Sequence, residues 1–434
     1  MDSQSRAEFL AQLSAEEKQR LLAHVLRKKA QGQTALPWET DPQEWIRDAK
    51  LDPRIQPLGQ ASRHTDPHTI LLTGATGFLG AHLLHDLYDR TRANIYCLVR
   101  AADEREAQER LQANFARYFA HPLDSKRIHP LVGDMSQAQL GLSPQTYAKL
   151  AEQTDIIVHN GAHLHHIAPY ALLKASNVDS TVAILELATT AKSKWIHYVS
   201  TLVAAVDRDT DGWLLEDFPQ ADPSELAGGY SQSKWVSEKL LSEAAQRGIG
   251  VTLFRPGFIS GRSDNGVWPS ENDHLLRVIK GCVQMGYASD SSLMPNMAPV
   301  NFVSEAIVRI ALSEDTPGQV FNLANPHLVP WVTLVTWLQG CGYPVNLVPK
   351  DVWREQHLRN VDKENALFPV LPLYLGGDIT ERFVLLLSKL ATVRNDGTAG
   401  MLARLNMSFP VIDQALWQRY VRFFQESGFL PRPA

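Results

Sequence analysis

From Thr69 to Gly261, short apolar runs alternate with longer stretches whose apolar residues recur at helical spacing. The runs begin at Ile70, Asn94, Ile128, Ile156, Trp195 and Val251, and a further one begins at Val320. Helical patterns fill the gaps, for example over residues 81–90, 105–119 and 232–246. Short apolar strands separated by helices predict parallel pairing with both faces of the sheet buried. The expected class is α/β, a Rossmann-type doubly wound parallel sheet. Past Gly261 the rhythm breaks. Residues 263–299 read as loop-rich and helical; residues 326–434 read as mostly helical and carry Trp331, Trp337, Trp353 and Trp417. These two parts are expected to pack into a smaller, mostly helical substrate-binding domain over residues 66–262, with 300–325 returning to the sheet.

Before this region, Ser14-Ala15-Glu16-Glu17 reads as a capping box opening a helix with Leu21, Leu22, Val25 and Leu26 on one stripe. Pro37, Pro42, Pro53 and Pro57 interrupt the stretch beyond that helix. Residues 1–65 therefore read as a helical appendage and linker, either packed on the main domain or docking a neighbouring module.

The 434 residues exceed one simple core, and 44% hydrophobic with 21% charged residues describes a folded soluble chain. A net charge of −5 with no dense basic block argues against nucleic acid. Cys97, Cys282 and Cys341 form no C-x-x-C pair, which suits free thiols in a reducing cytoplasm. No signal-peptide pattern opens the chain and no run is long enough to span a bilayer.

Candidate chemistry concentrates at strand ends. Gly74-x-x-Gly77-x-x-Gly80 follows the first strand and opens a helix, where absent Cβ atoms and free N–H groups suit a pyrophosphate. Alone, three glycines also describe a tight turn. The second strand ends in Arg100, where an NAD binder would carry an acid; an arginine there suits a 2′-phosphate, or is a solvated strand end. Arg110 either joins it or is a surface charge. Asp134 ends the third strand and either accepts from an adenine amino group or caps a helix. Asn160, Gly161 and Ala162 end the fourth, beside the expected cofactor ribose. His159, His163, His165 and His166 cluster there without carboxylate or cysteine at ligand spacing, so packing or channel lining is expected rather than a metal site.

Tyr230 and Lys234 lie four residues apart, on one helix face. An ammonium beside a phenol stabilises the phenolate, lowers its pKa and equips it for proton transfer to a carbonyl oxygen. Thr201, after the strand at Trp195, is the third candidate, with Ser200 its rival; either hydroxyl also suits a turn cap. There is no P-loop and no G-x-S-x-G elbow.

With these residues in order, the chain resembles the extended short-chain dehydrogenase/reductase superfamily, and within it the thioester reductase domains that terminate nonribosomal peptide and polyketide synthetases and carboxylic acid reductases. The likeness covers about residues 50–430. It rests on Leu-Leu-Thr-Gly-Ala-Thr-Gly-Phe-Leu-Gly (71–80), Cys-Leu-Val-Arg-Ala (97–101), Gly-Asp-Met (133–135), His-Asn-Gly-Ala (159–162), Asn-Val-Asp-Ser-Thr (177–181), Tyr-Val-Ser-Thr (198–201), Gly-Tyr-Ser-Gln-Ser-Lys (229–234) and Arg-Pro-Gly (255–257). Residues 50–55 are similar to the linker joining a carrier domain to such a reductase.

The resemblance implies NADPH as cofactor, an acyl or peptidyl thioester on the phosphopantetheine arm of a carrier protein as substrate, and reduction to an aldehyde, in some members on to the alcohol. It implies catalytic roles for Thr201, Tyr230 and Lys234. It assigns Thr76, Phe78, Leu79 and Met135 to the cofactor site with the glycines, and puts Pro256, Gly257 and Asn177 near the cofactor or behind the Tyr–Lys helix. A cytoplasmic monomer, or part of a larger synthetase, is expected; no carrier or adenylation segment is seen, which suggests a free-standing reductase or a fragment. The rival readings are a reductase of acyl-CoA or free carbonyl substrates, and a non-catalytic NADP-binding scaffold.

Overall fold

A computed structural model describes residue 18 and residues 42–123, 126–268, 273–314, 319–375 and 378–433. The capping box at Ser14 and the stripe from Leu21 to Leu26 lie outside the described residues. At the centre is a seven-stranded parallel sheet, β1 (Thr69–Thr73), β2 (Asn94–Val99), β3 (Ile128–Val132), β4 (Ile156–His159), β5 (Trp195–Val199), β6 (Val251–Pro256) and β10 (Val320–Leu323), in the order β10-β6-β5-β4-β1-β2-β3. Each is a strand expected from the apolar runs. The order reverses between β1 and β4, the switch point at which a doubly wound sheet opens a crevice at its carboxyl edge.

Side chains alternate across the strands, so one apolar run serves two cores. Ile70 and Leu72 pack with α2 (Phe78–Arg90), α3 (Glu104–Ala116) and α9 (Val300–Ala311). Leu71 points the other way and packs with α4 (Pro144–Gln153), α6 (Ser180–Ala188) and α7 (Gly228–Gln246). Between these, α5 (Tyr170–Lys174) runs into α6 through one π-helical turn, Ala175–Asp179.

A third core belongs to the rest of the chain. It gathers Trp268, Trp331, Trp353, Trp417, Tyr420 and Phe424, with α8 (His274–Met285), α10 (Trp331–Gly340), α11 (Asp378–Lys389) and α13 (Gln414–Glu426) contributing, while Met401 and Leu402 of α12 (Asp396–Arg404) pack instead with Ile70 and α9. Two small parallel pairs that periodicity does not reveal complete it: β8 (Tyr287–Ser289) with β11 (Asn346–Val348), and β7 (Phe258–Ser260) with β9 (Met297–Pro299). Strands three residues long are shorter than any pattern a sequence can display.

Residues 42–65 lie against the sheet domain. In α1 (Pro42–Asp48), Trp45 is buried against Tyr170, and Asp48 accepts hydrogen bonds from Tyr170 Oη at 2.8 Å and Lys174 Nζ at 2.7 Å. The Arg247 guanidinium donates to the carbonyls of Leu51, Asp52 and Ile55. No helix among the described residues is long and apolar enough to cross a membrane.

Trp45→Ala is expected to cost about 3–5 kcal/mol, as for other large core aromatics. Urea unfolding measures it; an unchanged midpoint would show that this segment adds nothing to the fold.

Candidate active site

The first turn after β1 is shaped by close backbone contacts. Gly74 has φ +73°, and a Cβ on it would lie 2.8 Å from the Cα of Gly161, so the turns after β1 and β4 touch backbone to backbone. A Cβ on Gly80 would lie 1.9 Å from the Gly74 carbonyl oxygen. The first turn of α2 therefore sits directly on the glycine turn. Asp103, Ser143 and Asp273 cap α3, α4 and α8 with side-chain oxygens, but α2 starts at Gly77 with no side-chain cap and no acid in its first turn. The start of α2 therefore has no side-chain acceptor of its own at the cap, as an anion-binding helix start requires.

Two side chains that the sequence does not single out hold this turn. Asn114 of α3 donates to the carbonyls of Ala75 at 3.2 Å and Gly77 at 3.1 Å. Thr73 Oγ1 accepts from the Gly161 amide at 2.9 Å and lies 2.7 Å from His159 Nδ1. Burial first, and the Lys234 charge second, push the His159 imidazole down to about 3, so it is neutral here.

Two adjoining cavities open at the carboxyl edge of the sheet. One, about 540 Å³, is lined by Gly74, Thr76, Gly77 and Gly161 and, towards its far end, by Arg100, Arg110, Asp134 and Met135. The other, about 310 Å³, is lined by Phe78, Leu79, Thr201, Tyr230, Lys234, Pro256 and Gly257. Asn160 and Ala162 line both. Of the residues expected to hold the cofactor, Gly80 alone lines neither; it is buried behind the turn and acts through packing. Arg110 Nη1 donates to the Arg100 carbonyl, which brings both guanidinium-bearing residues to one rim. Asp134 Oδ1 accepts from the amide and hydroxyl of Ser136, so it also shapes its own turn.

Helix α7 carries Tyr230 and Lys234, and Gly229 lets it approach the start of α5. A Cβ there would lie 2.4 Å from the Tyr170 nitrogen and 2.5 Å from the Ala168 oxygen. Lys234 is 1% exposed, and its Nζ donates to the Val199 carbonyl at 2.8 Å and Tyr198 Oη at 3.1 Å, 4.4 Å from the Tyr198 ring centroid. Asn177, in the π turn, donates to Ser233 Oγ at 2.9 Å and accepts from the His163 amide at 2.7 Å, which locks α7 to the loop after β4. It supports the Tyr–Lys helix and lines neither cavity.

The hydroxyls at the end of β5 have different tasks. Ser200 Oγ donates to Glu238, the buried partner of Arg255 at 2.5 Å. Thr201 lines the crevice, and its Oγ1 accepts a long 3.4 Å bond from the Val203 amide, which leaves its own proton to donate. Tyr230 departs from expectation. The ammonium of Lys234 does lower its pKa, but the protein packed around the phenol raises it more, and the net direction is upward. Burial lowers Lys234 in turn, partly offset by Tyr230. At neutral pH Tyr230 is therefore a protonated phenol, one helical turn from the desolvated Lys234.

The histidines divide among separate roles. His165 Nδ1 accepts from the Ala168 amide at 3.1 Å, and the His166 ring lies 5.0 Å from that of His274. Among the described residues no three His, Cys, Asp or Glu side chains are placed to hold a metal ion.

A family model described as Male sterility protein (NAD_binding_4) matches residues 72–307, more than half of the chain. The chain belongs to this NAD-binding family. It is 33% identical over 410 residues to a linear gramicidin synthase protein of Brevibacillus parabrevis, covering 92% of this chain and 8% of that protein. With the L-2-aminoadipate reductase large subunit of Eremothecium gossypii it shares 32% over 396 residues, 85% of this chain and 28% of the other. The chain thus spans less than a third of either relative. The crystal structure of the terminal R domain from the myxalamid PKS-NRPS biosynthetic pathway superposes with a TM-score of 0.82 at 36% identity, over 91% of this chain and all of that one. The family's nicotinamide cofactor fits the uncapped start of α2 and the glycine turn beneath it.

Gly80→Ala is expected to push α2 off the turn and abolish dinucleotide binding, measured by the fluorescence titration of the reduced cofactor. Wild-type affinity in a folded variant would separate Gly80 from the cradle.

Proposed function

We propose that the protein is an NADPH-dependent oxidoreductase that releases a carrier-bound acyl or peptidyl thioester as an aldehyde. The observation that carries this reading is that Thr201, Tyr230 and Lys234 line one crevice continuous, through Asn160 and Ala162, with the cavity over the glycine turn. The names of the relatives support it, since an aminoadipate reductase and a terminal synthetase reductase domain are among them. Arg100 and Arg110 at the cavity rim support NADP over NAD, because a guanidinium holds a phosphate through charge-assisted bonds.

NADPH, when bound, supplies hydride to the thioester carbonyl carbon. Tyr230 and Thr201 donate hydrogen bonds to the carbonyl oxygen as its charge grows, and Tyr230, whose pKa burial keeps high, passes its proton on to give a hemithioacetal. The buried ammonium of Lys234 then neighbours a phenolate, which it stabilises. Loss of the hydroxyl proton and departure of the pantetheine thiol leave the aldehyde. Phe78, Leu79 and Phe258 present apolar surface to this crevice.

Tyr230→Phe is expected to cut reduction of a loaded carrier protein by about 10²–10⁴-fold while NADPH affinity holds. Turnover is read by product analysis; wild-type turnover would remove the phenol from the mechanism. Arg100→Asp is expected to weaken NADPH about tenfold or more, since a bond to a charged group is worth about 1.5–3 kcal/mol, with little change for NADH. Equal NADPH affinity in the variant would count against the phosphate contact.

A further inference from the structure

The crevice at Tyr230 does not end at the sheet. Phe258, His274, Leu387 and Leu390 line it and also a second cavity of about 110 Å³ inside the tryptophan-rich core. The walls there are Leu275, Val278, Leu293, Trp331 and Trp353. Both indoles spend their N–H groups elsewhere: Trp331 Nε1 donates to the Ser289 carbonyl at 3.0 Å and Trp353 Nε1 to the Tyr287 carbonyl at 3.2 Å. They therefore add apolar ring surface to the cavity and no free donor.

Two lining residues break this pattern. His274, 8% exposed, has its Nε2 2.7 Å from Tyr374 Oη, while its buried Nδ1 has no partner among the described residues. Ser289, 7% exposed, has a buried Oγ with no partner among the described residues. Burial and the neighbouring His166 keep His274 neutral, so its free nitrogen is a hydrogen-bonding group and not a charge. A buried polar atom left unmatched is costly; both atoms sit in the cavity wall with almost no accessible surface, so a small turn of the side chain is what brings each to a ligand group. His274 stands where the two cavities meet, at the thioester end of anything that enters.

We infer that the acyl group of the substrate runs from the Tyr230 crevice past His274 into the tryptophan-walled cavity, and that the protein takes apolar acyl chains of several carbons bearing a hydrogen-bonding group close to the thioester. This rests on the reductase reading above and names the substrate class for that site. Acetyl groups would leave the inner cavity unfilled. Among the described residues, the exposed Lys350 is the one charged side chain lining that cavity, and none of them offers a cationic acyl group a counter-ion.

The test uses the full chain, NADPH and three N-acetylcysteamine thioesters: acetyl, octanoyl and 3-hydroxyoctanoyl. The expected kcat/KM for octanoyl exceeds that for acetyl by tenfold or more, and the 3-hydroxy ester exceeds octanoyl. Val278→Trp, which fills the cavity, is expected to collapse the octanoyl-to-acetyl ratio towards one, with folding checked by circular dichroism and NADPH affinity. His274→Phe is expected to erase the 3-hydroxy advantage alone. Equal turnover of acetyl and octanoyl esters would overturn the inference while leaving the reductase reading intact. Failure to reduce any of the three, or a loaded carrier protein, with NADPH bound would instead sink the reductase reading itself.

Discussion

The ammonium of Lys234, buried beneath the crevice, is the interaction on which the site depends. Removing a charge from water is expensive and is tolerated only where it is fully bonded. Here the Val199 carbonyl, the Tyr198 hydroxyl and the Tyr198 ring meet it. All three belong to β5, so the bond that stabilises the charge also clamps α7 to the sheet. That clamp sets where Tyr230, one turn earlier on α7, stands against Thr201, two residues past Val199.

Further polar contacts make the clamp rigid. Glu238, one turn beyond Lys234, takes Arg255 from β6 and the Ser200 hydroxyl from the end of β5. Just before Lys234, Ser233 receives Asn177 from the π turn. Successive levels of α7 are thus tied to β5, β6 and the π turn before α6. A buried pair such as Arg255–Glu238 adds little net stability over apolar packing, but losing one partner leaves the other stranded, so it specifies a single arrangement.

The two halves of the molecule divide the chemistry. Close backbone approach at Gly74, Gly80 and Gly161 shapes a cradle at the sheet edge, where α2 starts without a side-chain cap. The helical part contributes an apolar interior that continues the crevice, with His274 Nδ1 and Ser289 Oγ, unmatched among the described residues, in its wall. The family match over residues 72–307 takes in the whole cradle, whereas the indole walls of Trp331 and Trp353 lie beyond it.

By itself the sequence determined the seven strands, their parallel pairing and the strand-end and turn residues that line the two main cavities, but none of the lining from the helical part. Each is a local property: the apolar period of a strand, the turn between strand and helix, the four-residue spacing from Tyr230 to Lys234. The tertiary structure alone decided that Ser200 serves Glu238 while Thr201 faces the crevice, that Asn114 holds a turn 37 to 39 residues away, and that Gly229 is needed because α5 passes against it. It also decided the upward shift of Tyr230, because spacing reveals the nearby charge but not how much protein surrounds the phenol. Such contacts join distant segments and leave no period in the chain, and burial is a property of the packed whole.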